Sequence, residues 1–497
     1  MNPPLETCVA VIGAGPAGLM SALLLARAGV PCAVFEQHEG ISTHPKAMGI
    51  TRRSAEIFRQ LGLLDRMQEA DFSTAETQLM IWAKALVGEE LGRAPLPAAD
   101  VDWSPCRPFH SPQTHTEAVL LAALEAEPLA RVHFRHRVRT IGREPHAVEL
   151  DVSGPEGGFI CRAEWVIAAD GAGSPVRRIL GIQAEGPGDL GHFLNVFFHA
   201  DPSVVLEGRR SLLYNILRED LVEFLVSVNG RDLWLMHHFL QPGEDATRLS
   251  PEVLEGMIRA AMGLPDLRVQ ILGRAPWVMS PKVATAFRNG RIFLVGDAAS
   301  RLSPAGGLGM NTGLQSAHNL AWKLAAVVHG HAGEGLLDTY EKERRSVSLG
   351  VMHHTNENSG EVLRQVDCAL RGAFDELKTM LAASHRHEED RRFDTGIEYS
   401  NGPRFPHAWV RVNGQRLSTL DLVGGSFVVL AGPRAQVPKD ALYKVVRPEC
   451  EDASFAAAWG LDGEGAILVR PDGFVAGRVQ GDPATVTAAL RVALSGG

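Results

Sequence analysis

Three acids in this chain stand where an apolar run stops and glycine begins. Glu36 closes the run CAVFE, Asp170 follows EWVIAA and precedes Gly171, and Asp297 follows Gly296 at the end of RIFLV. An ionised carboxylate at such a point can accept hydrogen bonds from sugar hydroxyls, while adjacent glycine lets a phosphate or a ring approach backbone N–H groups. Gly13, Gly15 and Gly18 form G-x-G-x-x-G, and Glu36 lies 18 residues beyond Gly18. Gly13 permits a tight turn, Gly15 the approach of a pyrophosphate, and Gly18 close packing of helix on strand. Read from residues alone, this motif takes a dinucleotide and leaves NAD and FAD both open.

These acids need particular elements to hold them. The opening segment reads as a strand Val9 to Ile12, a helix from Pro16 to Ala28 stopped by Gly29, and a second strand Cys32 to Glu36, the pattern of a parallel sheet. Further helices are expected at Arg53 to Leu61 and Glu117 to Glu127, a strand at Glu164 to Ala169, and a hairpin turn at Asn289-Gly290 feeding the strand Arg291 to Val295. After Asp297 the loop LSPAGGLGMN leads into a helix from Thr312 to Val328, followed by a charged helix around 338 to 347. Residues 186 to 280 alternate aromatic and β-branched residues with turns, which predicts an antiparallel sheet. Beyond the polar stretch HRHEEDRRFD at 385 to 394, strands and a closing helix suggest a third, small α/β unit.

The chain has 497 residues, too many for one core, with 45% hydrophobic and 22% charged residues and a net charge of -9 spread along it. No Lys/Arg stripe points to nucleic acid. The six cysteines lack C-x-x-C or metal-ligand spacing, so no metal is expected and a reducing cytoplasm fits them. Residues 8 to 26 carry no charge and mimic a membrane span, but their Gly/Pro punctuation argues for strand, turn and helix, and no signal peptide precedes them.

GAGPAGL with Glu36, EWVIAADGAGSPVRRILG and RIFLVGDAASRLSPAGGLGMNTGLQSAHNLAWKLA together resemble the three fingerprints of the class A FAD-dependent aromatic hydroxylases, the para-hydroxybenzoate hydroxylase type. The segment THPKAMGITRRSAEIFRQLGL and the tail DLVGGSFVVLAG with ILVRPDGFVAGR are similar to the subgroup that acts on aromatic polyketides and carries a thioredoxin-like C-terminal domain. The resemblance implies an α/β fold with a Rossmann-like FAD-binding domain (1–76, 104–185, 281–394), an inserted antiparallel-sheet substrate domain (77–103, 186–280) and a thioredoxin-like domain (395–497). Gly13, Gly15, Ala17, Gly18, Glu36 and Gln37 would hold the ADP half of FAD. Gln113 would lie near the flavin chain, Asp170 near both FAD and NADPH, and Gly296 with Asp297 on the ribityl chain. Pro304, Gly307, Gly309, Met310 and Asn311 would surround the ring. Lys46 stands where the family has arginine, keeping the charge but losing the bidentate fork. Ser300 and Ser316 replace a common His and Asp, and the C-terminal region has no C-x-x-C for thiol redox work.

Such enzymes reduce FAD with NADPH or NADH, form a flavin hydroperoxide with O₂, and attack an electron-rich aromatic carbon. The cofactor carries the chemistry, so no Ser/His/Asp or metal constellation is required. Beside Pro304, the residues that could activate a phenol are Tyr214, His237 and His238 on the predicted sheet. Neighbours in a strand point to opposite faces, so only one of the two histidines can face the pocket. The expected partner is a small aromatic molecule, and the protein a cytoplasmic monomer or homodimer. Two alternatives share the scaffold: Baeyer-Villiger oxygenation of a ketone, and a non-catalytic binding protein.

Overall fold

The computed structural model describes residues 4–74, 77, 79–96, 102–206, 208–241, 243–383, 403–480 and 482–496. The charged stretch 385–394 and the expected boundary beside it lie outside those residues. Three sheets organise the rest. The first runs in the order Arg288–Asn289, Ile292–Leu294, Gly157–Ala168, Leu5–Ile12, Cys32–Glu36, Ala130–Phe134, with Val148–Gly154 and Arg137–Arg143 branching from the long third strand. Four of its pairings are parallel: Leu5–Ile12 with both Gly157–Ala168 and Cys32–Glu36, Gly157–Ala168 with Ile292–Leu294, and Cys32–Glu36 with Ala130–Phe134. Parallel neighbours end at one edge, so the turns after Ile12, Glu36, Ala168 and Leu294 meet there, where open α/β sheets bind ligands.

The apolar segment at the N-terminus folds as the strand Leu5–Ile12 and the helix Pro16–Arg27, as its glycines and proline predicted. No described helix is long and apolar enough to cross a membrane. Against the first helix packs the helix Gly309–Val328, which begins earlier than the Thr312 start that the apolar periodicity suggested. The charged pattern at 338 is far longer than expected: the helix runs Asp338–Leu370. Its buried stripe includes Thr339, Ser348, Thr355 and Ser359, and this polar face conceals the usual helical apolar signature.

The second sheet has seven strands, in the order Gln270–Met279, Gly191–His199, Leu233–Phe239, Val222–Ser227, Leu213–Leu217, Leu79–Ala83, Glu90–Pro95. All neighbours are antiparallel except Leu213–Leu217 beside Leu79–Ala83. The helix Pro251–Met262 covers one face through Leu254, Ile258, Ala261 and Met262, which pack with Tyr214, Trp234 and Met236. The third sheet, Tyr443–Val446, Phe427–Ala431, Gly465–Val469, Val475–Gln480, mixes one parallel and two antiparallel pairings. Buried charges tie it to the first unit: Glu343 accepts from Arg470 at 2.9 Å and from Lys323 at 2.9 Å, while Glu56 pairs with both Arg53 and Arg404. Each carboxylate has more than one cationic partner, which offsets the cost of taking it out of water.

Candidate active site

The glycine turn after Ile12 is built by close backbone approach. Gly13 has φ +102°, and a Cβ there would lie 2.4 Å from the Ala169 carbonyl oxygen. A Cβ at Gly18 would lie 2.0 Å from the Gly13 carbonyl oxygen, so neither position admits a side chain. Gly15 differs: a Cβ there meets nothing within 4 Å, and it precedes a helix that has neither a side-chain cap nor an acid in its first turn. The free N–H groups of that turn therefore face an open cradle suited to a pyrophosphate. Glu36 stands beside it, its two oxygens accepting from Ala14 N at 2.8 Å and His38 N at 2.9 Å. Gln37 is exposed next to it.

A second helix start reaches the same place. Ala17 lies under both Gly296, whose Cβ would come within 2.9 Å of the Ala17 Cβ, and Gly313, at 3.4 Å. The helix Gly309–Val328 has no side-chain cap and no acid in its first turn. Its first N–H groups, those of Gly309, Met310 and Asn311, precede the first intrahelical bond, from Thr312 N to Leu308 O. The Asn311 side chain points elsewhere: it accepts from Thr51 N and donates to Gly49 O and Gly307 O, each at 2.9 Å. Asn311 thus locks the loop to the strand Gly49–Ile50, leaving its backbone N–H as the group available to a ring edge. Gly307 closes a turn onto Pro304 O at 2.9 Å with φ +70°, and Pro304 itself is exposed.

Asp297 is open to solvent along the groove and carries no hydrogen bond to any described residue, while protein encloses its other sides. That enclosure raises its carboxyl above the ordinary value, against the charges of Lys46 and Arg301. Lys46 belongs to a loop that Glu117 holds in place. Gln113 donates to Glu117 Oε1 at 2.7 Å, Ser42 N donates to Glu117 Oε2 at 2.7 Å, and Gln113 N donates to Ala47 O at 2.8 Å. Burial lifts the Glu117 carboxyl, partly opposed by these donors. Glu117 was not singled out in the sequence, although its spacing of four from Gln113 on one helix was a readable signal.

Asp170, like Glu36, accepts on both oxygens, from Ser174 Oγ at 2.6 Å and Val176 N at 3.0 Å, and so fixes the start of the helix Pro175–Ile179. Arg177, in that helix, donates to Ala298 O at 2.7 Å, beside Asp297. Two expectations, for Tyr214 and His238, are corrected by geometry. Tyr214 and His238 lie on the face of the second sheet covered by the helix Pro251–Met262, turned away from the groove. The Tyr214 hydroxyl donates to Arg209 O at 2.7 Å and accepts from Ser211 N at 2.8 Å. Strand alternation put His238 there and its neighbour on the other face.

That other face is aromatic. Phe193, Phe224, Phe239 and Trp277 form it around the half-buried His237, with Phe193 and Trp277 stacked at 4.7 Å between centroids. His237 Nδ1 lies 2.6 Å from Asn195 Oδ1, which also accepts from Trp277 Nε1 at 2.5 Å. Two contacts join this wall to the groove. Ser303, the residue before Pro304, donates to Met279 Sδ at 3.4 Å. His44, two residues before Lys46, tilts against Phe197 with 5.9 Å between ring centroids.

A paired set of uncapped helix starts, an acid at the end of each of two strands and a side-chain-free cradle define a dinucleotide-binding α/β protein. The model for the FAD binding domain matches residues 6–355, and that for the aromatic-ring hydroxylase C-terminal region matches 399–496. Tetracenomycin A2 monooxygenase-dioxygenase of Streptomyces glaucescens is 34% identical over 98% of this chain and 96% of its own. The 4-methyl-5-nitrocatechol 5-monooxygenase of a Burkholderia species is 32% identical over 99% and 98%. A crystal structure of aklavinone-11 hydroxylase with FAD and aklavinone superposes with a TM-score of 0.84 at 27% identity, over 99% of this chain and 100% of that one. The chain belongs to the FAD-dependent aromatic-ring hydroxylases, and it is a flavoprotein monooxygenase that uses FAD, NAD(P)H and O₂.

Proposed function

We propose that this enzyme hydroxylates a phenolic or polycyclic, polyketide-like aromatic compound. The observation that carries the reading is the aromatic wall of Phe193, Phe224, Phe239 and Trp277, joined to the dinucleotide groove through Met279–Ser303 and the 44–46 loop. The relatives named for tetracenomycin A2 and a nitrocatechol support an aromatic substrate, and the crystal structure with aklavinone supports a polycyclic one.

When bound, FAD supplies the redox chemistry, taking electrons from NAD(P)H and delivering one oxygen atom of O₂ to the ring. The chain's own residues do the placing. Glu36 accepts from ribose hydroxyls, and the N–H groups of the first helix turn, at the Gly15 cradle, bind the pyrophosphate. Asp297 accepts from the ribityl hydroxyls, with Lys46 and Arg301 keeping the surroundings cationic. The N–H groups of Gly309, Met310 and Asn311 face the pyrimidine edge, Pro304 borders the ring, and the aromatic wall excludes water from the reacting carbon. In this reading residues 1–76, 104–185 and 281–394 hold the cofactor, 77–103 and 186–280 the substrate, and 395–497 form a structural third domain.

Purified protein is expected to be yellow, and phenols and anthraquinones to stimulate NADPH oxidation with products heavier by one oxygen. Asp297→Ala is expected to lose most of its FAD on gel filtration. Colourless protein indifferent to FAD would sink the reading, as would unchanged FAD occupancy in the Asp297 variant for the ribityl role.

A further inference from the structure

We infer that the chain Trp277–Asn195–His237 presents the substrate with a bare His237 Nε2, which accepts a hydrogen bond from a neutral phenolic hydroxyl and so selects free phenols over their ethers. This inference rests on the aromatic hydroxylase reading and specifies its substrate further.

Trp277 fixes the tautomer. An indole N–H only donates, so the Asn195 atom 2.5 Å from Trp277 Nε1 is the amide oxygen. An amide oxygen only accepts, so His237 Nδ1, 2.6 Å from the same atom, carries a hydrogen. In a neutral imidazole the other nitrogen then has a free lone pair. The ring is neutral: burial, reinforced by the nearby His44, pushes its pKa down to about 4. No described residue hydrogen-bonds to Nε2, and it is not among the atoms sealed from solvent without a partner, so it opens into the space the aromatic wall borders.

The position of that nitrogen suits a ring held against the flavin groove. His44 tilts against Phe197 on the same face as His237, and Lys46, two residues further on, is one of the charges acting on Asp297. In register, Asn195 and Phe224 flank His237 on its two neighbouring strands. A planar substrate lying on Phe224, Phe193 and Trp277 brings a peripheral hydroxyl to His237. An imidazole this weakly basic does not take the proton of a phenol at neutral pH; it holds the hydroxyl and with it the orientation of the ring. Asn195 acts through His237 by fixing which nitrogen is bare, which makes it a positioning residue. No local signal marks it, because Asn195 and Trp277 are 82 residues apart.

The test uses the FAD-loaded enzyme and a panel of α-naphthol, hydroxyanthraquinone and catechol, each beside its O-methyl ether, with binding read from the bound flavin's fluorescence. Wild type is expected to bind phenol over ether by about tenfold, and His237→Phe to bring that ratio to about one with FAD content unchanged. His237→Gln, whose carbonyl also accepts, is expected to restore part of the preference. Asn195→Leu, which frees the tautomer, is expected to lower the preference with the His237 ring still present. A preference that survives in His237→Phe, or equal binding of phenol and ether by wild type, overturns the acceptor role while substrate-stimulated NADPH oxidation still reports the hydroxylase. A flavin signal unmoved by every compound overturns both.

Discussion

His237 and His238 are neighbours in one strand, and the two faces of the sheet treat them in opposite ways. His238 is saturated: Nδ1 meets Glu223 Oε1 at 2.7 Å and Nε2 meets Glu244 Oε1 at 3.0 Å. Burial pulls its imidazolium down, but the two carboxylates more than reverse that and hold its pKa up at about 9. His237 has one partner, an uncharged amide, and is pushed down to about 4. The same residue type is therefore a cation that fastens a core on one face and a neutral acceptor on the other. Charge partners, and not burial as such, decide between the two, since burial acts downward on both.

The largest expected effect falls on the saturated face. His238→Ala leaves the fully buried Glu223 without its cation, and a loss of about 3–5 kcal/mol in denaturant unfolding is expected. The same substitution is expected to leave the phenol-over-ether ratio unchanged, which separates the faces. Next comes pH. A histidine whose folded pKa is raised from 6.5 to about 9 adds stability that is complete below about pH 6 and is lost as pH rises through 9. Burial raises the Glu223 carboxyl to about 7, so its ionisation likewise costs stability as pH rises. Thermal scans from pH 6 to 10 should show a steeper fall for wild type than for His238→Gln; parallel curves would break the contrast.

Smaller effects sharpen it. Tyr214→Phe, on the covered face, removes a hydroxyl held by Arg209 O and Ser211 N and is expected to cost about 1 kcal/mol with turnover intact. His237→Phe is expected to change stability least, within about 1 kcal/mol, since an aromatic ring remains in an aromatic wall and only one neutral hydrogen bond goes. A stability loss there as large as that of His238→Ala, measured by the same unfolding curves, would mean that both faces are structural.

The cofactor half of the site was far more legible than the substrate half. Gly13, Gly15, Gly18 and Glu36 lie within one local stretch of chain, although only Gly18 is closed by a local neighbour, the Gly13 carbonyl; Gly13 is closed by Ala169 of another strand and Gly15 stands open. Asp297 and the loop to Asn311 are likewise contiguous. Of the three acids that end strands, Glu36 and Asp170 each accept from two nearby donors, whereas Asp297 accepts from no described residue. The helix expected around 338 to 347 proved to run on to Leu370, a length hidden because its packed stripe mixes serine and threonine with its apolar residues, among them Ser348 bonding Ser300 and Ser359 bonding Ser303.

By itself the sequence determined the family, the parallel sheet with its dinucleotide turn, and the alternation that puts His237 and His238 on opposite faces, since each follows from neighbours in the chain. Only the tertiary structure decided which face looks toward the groove, that the Asn311 side chain locks the loop, and that Trp277 and Asn195 fix the His237 tautomer. Those outcomes depend on where strands and helices distant in sequence come to pack, and a hydrogen bond's donor and acceptor have no local signature until that packing brings them within 3 Å.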